Sequence, residues 1–115
     1  MKLPIKPLSD IELEHYAKEL KIPYFRGVFM KDQLPNKIQK NESMIINLDD
    51  STGEGTHWIC FSKKDKIINY FDSFGVKPPT ELLMYLKNFE VNVDENQNFN
   101  DIICGHLCLD FLMKS

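Results

Sequence analysis

The sequence predicts an α+β domain. Three observations carry that reading. A capping box opens an amphipathic helix near the N-terminus, three short apolar runs with strand character fill the middle, and two further helical segments come after them. The 115 residues suit one domain spanning residues 1–115. The apolar share of 43% is sufficient for one modest core.

Residues 1–8 contain two prolines and two lysines and read as an extended lead-in. Ser9 and Glu12 stand at capping-box spacing, the serine accepting from the N3 amide and the glutamate reaching back. The helix then continues to about Leu20, with Ile11, Tyr16, Ala17 and Leu20 in its apolar stripe, and Pro23 ends it. Residues 23–35 read as a packed irregular segment with a turn at Gly27. Strands are expected at 43–48, 57–63 and 66–72, with a loop at 49–55 and a break at 73–79. Pro79 suits the first turn of a helix through residue 89. Residues 90–99 are polar and asparagine-rich, with a short strand at 91–93. The last helix is expected at 103–113, with Leu107, Phe111 and Leu112 apolar.

Several classes are set aside by composition. The net charge of −3 gives no reason to expect nucleic-acid binding through the bulk field. No apolar run reaches the roughly 18 residues of a membrane span, and prolines and charges occupy the N-terminal positions where a leader peptide needs apolar residues. An odd, sparse set of three cysteines fits free thiols in a reducing compartment. An intracellular chain is therefore expected.

A two-residue loop at Lys64 and Asp65 would pair Lys63 with Lys66 and, counting outward, His57 with Asp72. Directly opposed residues have Cβ atoms about 4.5–5.5 Å apart, within reach of an imidazole–carboxylate hydrogen bond. Such a bond fixes the tautomer and leaves the other ring nitrogen as a base. Ile59, Phe61, Ile68 and Tyr70 share that face and should meet the core, with the polar pair at its rim. Taken alone, such a pair is as easily a simple ion pair.

Cys104 opens the last helix, where unpaired amides and the positive end of the macrodipole favour the attacking thiolate. Gly105 leaves the approach to the sulfur free of a side chain. Cys108, one turn on, should be a buried, inert thiol, and Cys60 falls on the face opposite His57. Cys104, His106, Cys108 and His57 are all zinc-ligand types, but C-x-H-x-C is not a standard structural spacing, so no metal and no cofactor is expected.

The motifs GTHW (55–58), YFDSFG (70–75) and CGHLC (104–108), with Gln97 seven residues before Cys104, resemble the adenain-like cysteine proteases. That group belongs to the clan of adenovirus and ubiquitin-like-protein-processing proteases. Segments GVFMKDQLP (27–35) and IINLDD (45–50) look most like the proteases of polinton (Maverick) elements and related viruses. The resemblance spans roughly residues 9–113 and follows the family's order of His, acid, Gln and Cys.

It implies a minimal adenain/ubiquitin-like-protease fold: a small mixed or antiparallel sheet whose His/Asp hairpin packs against helices, with the nucleophile at the start of the last helix. Cys104 would be the nucleophile, His57 the base and Asp72 its orienter. The Gln97 amide and the Cys104 backbone N–H would hold the oxyanion, and an asparagine of ENQN is the alternative to Gln97. Trp58, Phe74 and Gly75 would wall a narrow substrate groove that takes small residues such as glycine; core packing is the competing role for Trp58.

The implied activity is a cysteine endopeptidase that processes viral or transposon-encoded virion or capsid precursors in the host cytoplasm or nucleus, or packaged in the virion. Adenovirus proteases use a peptide and DNA as activators. An activating peptide or protein is thus a second implied partner, while the acidic chain gives DNA no support. The alternatives are a protease that processes or deconjugates ubiquitin-like proteins, and a silent peptide-binding module. An intact His, Asp, Gln and Cys set argues against the module.

Overall fold

The computed structural model describes residues 3, 6–49, 57–75, 77–87, 89–94 and 103–115. The elements follow in the order α1 (Asp10–Glu19), β1 (Phe25–Met30), β2 (Asn41–Asn47), β3 (Trp58–Lys64), β4 (Ile67–Asp72), α2 (Thr80–Tyr85), β5 (Val91–Asp94) and α3 (Cys104–Lys114). The five strands form one mixed sheet in sequential order. β2, β3 and β4 run antiparallel to their neighbours among these three, and β1 and β5 add in parallel at the two edges.

Both faces of the sheet are covered, so β2 and β3 are buried almost end to end and do not alternate. On one side Leu13 and Ala17 of α1 and Cys108, Leu109 and Leu112 of α3 pack on Ile45, Cys60 and Phe71. On the other, Leu82 and Leu86 pack on Met44, Ile46, Ile59, Phe61, Ile68 and Tyr70. The expected apolar face of the hairpin is this second layer.

The capping box forms as expected. Glu12 N–H donates to Ser9 Oγ at 3.2 Å and Ser9 N–H to Glu12 Oε1 at 3.1 Å. The apolar stripe of α1 differs: Ile11 is 76% exposed, while Leu13 and Ala17 face the core. In α3 likewise Leu107 and Phe111 are only half-buried, and Cys108, Leu109 and Leu112 form the inner row.

Residues 25–30 are a strand, not an irregular segment. Gly27, at φ 141°, sits where the β1–β2 register shifts, and that bulge hides the strand's alternation in the sequence. α2 ends at Tyr85, short of residue 89. It has no side-chain cap and turns Leu83 and Met84 to solvent, so few contacts extend it.

The hairpin loop is Asp65-Lys66, one residue later than expected, and pairs Lys64 with Ile67. Asp65 takes φ 56°, a left-handed conformation that Asp tolerates better than most residues. Its N–H donates to Lys40 O and Asn41 Oδ1, both at 3.0 Å, which anchors the turn to the start of β2. Asp72 therefore faces Ile59 and not His57. The displacement is two residues along one strand, an even step, so every side chain keeps its expected face.

Replacing Ser9 by Ala removes the acceptor for the Glu12 amide. Urea unfolding is expected to show a loss of about 1 kcal/mol with an unchanged m-value.

Candidate active site

His57 lies just before β3, and its carbonyl accepts from Leu48 N–H at 2.9 Å, which ties it to the end of β2. The residue is 6% exposed, and Nε2 meets Asp72 Oδ1 at 2.6 Å. The changed register makes the two residues diagonal neighbours, a separation that an imidazole and a carboxylate still span.

Asp72 is held by the turn that follows β4. Phe74 N–H donates to its Oδ1 and Gly75 N–H to its carbonyl, each at 2.8 Å. Gly75 closes that turn at φ 71°, where a Cβ would be strained. The Phe74 ring then stacks on the His57 ring, with centroids 4.0 Å apart and an interplanar angle of 10°. The motif DSFG thus orients the carboxylate and clamps the imidazole.

Cys104 is buried in the first turn of α3, as expected for the helix start. The Trp58 backbone N–H donates to its sulfur at 3.5 Å, a contact no sequence motif announces. Its thiol stands near enough to His57 to bear on the ring's titration, while Nδ1 makes no hydrogen bond among the described residues. Burial pulls the His57 pKa down, but the hydrogen bond to Asp72, the neighbouring Cys104 thiol and the charges of both outweigh it, so the ring is pushed up to about 9. With Nε2 on Asp72, Nδ1 is the ring nitrogen left for the thiol.

The two other thiols stand apart. Cys108 is fully buried, and that burial raises its pKa well above the ordinary thiol value. Cys60 lies in the α1–α3 layer and reaches the Cys108 carbonyl at 3.8 Å. Among the described residues no group of three or more His, Cys, Asp or Glu side chains could hold a metal. No helix among them is long and apolar enough to cross a membrane.

The expected groove residues are placed differently. Trp58 packs into the α1–α3 layer, and its indole N–H donates to Leu8 O at 3.0 Å. Core packing, the competing role, therefore describes its ring, while its backbone serves the thiol. Gly105 is buried: a Cβ there would stand 3.0 Å from Leu13 Cδ2 and 3.4 Å from Trp58 Cδ1. The missing side chain lets α3 approach α1 and β3. Gln97 and the rest of ENQN, like Gly55 and Thr56, lie outside the described residues.

The arrangement is a thiol at a helix start, an imidazole beside it and a carboxylate behind the imidazole, the constellation of a cysteine-hydrolase site. Neither a protein-family model nor a curated protein matches the sequence. Solved structures do match the fold. The ASFV pS273R protease superposes with a TM-score of 0.66 at 13% identity, over 96% of this chain and 57% of that one. The SUMO protease Ulp1, with its catalytic cysteine oxidised to a sulfinic acid, gives 0.61 at 18% identity, over 96% and 66%. Its C-terminal protease domain in complex with Smt3, the yeast ortholog of SUMO, gives 0.53 at 19% identity, over 97% and 67%. The chain thus has the fold of the ubiquitin-like-protease clan and spans little more than half the length of the ASFV protease.

Two outcomes test this geometry. In Asp72→Asn the His57 ring titration, read by NMR, should fall from about 9 by roughly one unit or more, because burial then meets less opposition. A raised folded-state pKa stabilises the fold below pH 6.5, and that contribution is lost as pH rises through about 9. The stability gap between wild type and His57→Ala should therefore be widest below pH 6.5 and narrow across that window.

Proposed function

We propose that the protein is a cysteine endopeptidase with Cys104 as nucleophile, His57 as general base and acid, and Asp72 as the group that orients His57. The observation that carries this is the convergence of Cys104 and Asp72 on one buried imidazole, with Asp72 Oδ1 at 2.6 Å from Nε2. The Cys104 proton passes to Nδ1 of His57, and the sulfur attacks the scissile carbonyl carbon. The tetrahedral oxyanion is held by the Cys104 backbone N–H and, by resemblance, the Gln97 amide. His57 returns the proton to the leaving amine, a thioester forms, and water activated by the same imidazole hydrolyses it. The ring needs no reorientation between steps, because Asp72 on one side and Phe74 on its face hold it.

The substrates in this reading are virion or capsid precursors of a virus or polinton-type element, cut near small residues inside the host cell or in the particle. The likeness to the ASFV protease supports a viral setting. A second reading, the processing or deconjugation of ubiquitin-like proteins, is supported by the likeness to Ulp1, including its complex with Smt3. An activating peptide or protein remains part of the first reading.

Iodoacetamide should alkylate Cys104 faster than Cys60 and Cys108 at about pH 6, well below the ordinary thiol range, and His57→Ala should abolish that selectivity. Equal, slow labelling of all three would sink the nucleophile assignment. Against candidate precursors, Gln97→Ala should lower kcat/KM by about 10²–10³, and Cys104→Ser should remove cleavage. Capsid-derived and ubiquitin-like precursors offered side by side separate the two substrate classes. A Cys104→Ser protein that acts as well as wild type would identify a peptide-binding module.

A further inference from the structure

Three polar atoms on the stretch leading into the site turn are buried without a hydrogen-bond partner among the described residues: the Tyr70 hydroxyl, Asp72 Oδ2 and Ser73 Oγ. All three residues are essentially inaccessible to solvent. Asp72 uses its other oxygen twice, for His57 and for the Phe74 amide. A bare carboxylate oxygen in a dry interior is among the costliest polar groups to leave unmet, and native folds satisfy such atoms directly or through a buried water. Tyr70 and Asp72 stand two positions apart on β4, facing Phe61 and Ile59 in the α2-side layer. Their Cα atoms are thus roughly 7 Å apart on one face of the sheet. One water molecule with two hydrogen bonds joins atoms up to roughly 5.6 Å apart, so two side chains leaving the same face need close only part of that separation.

We infer that Tyr70 is a positioning residue for Asp72: its hydroxyl and Asp72 Oδ2 share one buried water, which accepts from the hydroxyl and donates to the carboxylate. The assignment rests on the reading of Asp72 as the orienter of His57. It explains why a tyrosine occupies a core position where a phenylalanine would fill the same volume without an orphaned hydroxyl. The negative charge of Asp72 also reaches that hydroxyl: after burial, it is the next cause holding the phenol in its neutral, donating form. With Oδ2 tethered, the carboxylate cannot rotate about its bond and loosen its hold on Nε2.

The test is the NMR titration of the His57 ring in wild type, Tyr70→Phe, Asp72→Asn and the double variant. Tyr70→Phe should lower the His57 value by about half a unit or more, and should leave it unmoved where Asp72 is already Asn. No change, an upward change, or an equal change in both backgrounds would overturn the inference. Equilibrium unfolding gives a second readout. A bridged hydroxyl makes Tyr70→Phe less stable than wild type, whereas an orphaned one makes it more stable. Neither measurement needs a substrate. An inert Cys104 beside an intact Tyr70–Asp72–His57 coupling would count against the protease reading alone.

Discussion

Burying an imidazole and a carboxylate side by side at the end of an antiparallel pair is the constraint around which the rest of the fold is arranged. Two such groups leave water only if their hydrogen bonds are supplied in place. The pair supplies one bond to itself and Phe74 N–H donates to Asp72 Oδ1, while Leu48 N–H on the His57 carbonyl and Gly75 N–H on the Asp72 carbonyl fix the two backbones. The Leu48 bond requires β2 and β3 in their observed register, and the Phe74 and Gly75 bonds come from the turn that follows β4. The pair thus reports on the integrity of the central sheet as much as on the site.

The thiol reaches this pair from the opposite layer. His57 and Asp72 belong with the face under α2, whereas α3 lies on the face with Cys60 and Phe71. The two layers meet beyond the strand end, where Trp58 N–H contacts Cys104 Sγ. The depth of that approach depends on packing at Gly105, which brings the first turn of α3 against Leu13 and Trp58. A glycine that permits close approach therefore helps seat the first turn of α3, and with it Cys104, against the strand that carries Trp58.

The other end of the sheet carries a second buried polar group. Glu42, which pairs with Lys63 across β2 and β3, accepts from Arg26 at 2.8 Å and from Tyr85 at 2.7 Å. Lys63 donates to the carbonyls of Gln39 and Lys40 and lies 4.6 Å from the Phe89 ring centroid. Every charge there has partners, so the network ties β1, α2 and the loop before β2 to the sheet. It fixes the elements that cover the α2-side core, and through that core the face on which His57 and Asp72 sit.

Much of this was legible in the residues. Local chemistry is written locally: Ser9 and Glu12 announce α1, the apolar runs announce β2 to β4, and a cysteine before a helical stretch announces its place at a helix start. The period-2 pattern also determined which side chains share a face, and an even displacement of the hairpin left that result intact. What the residues alone did not decide involves partners distant in sequence. Asp65 forms its turn where β2 offers acceptors. Phe25–Met30 becomes a strand only because β2 receives it. Leu13 replaces Ile11 in the core because α3 lies over it, and Trp58 and Gly105 take their roles from the meeting of α1, β3 and α3. Composition and periodicity carry the preferences of a segment for itself. Register, burial and the approach of one layer to another are set by long-range contacts, and these exist only once the chain has folded.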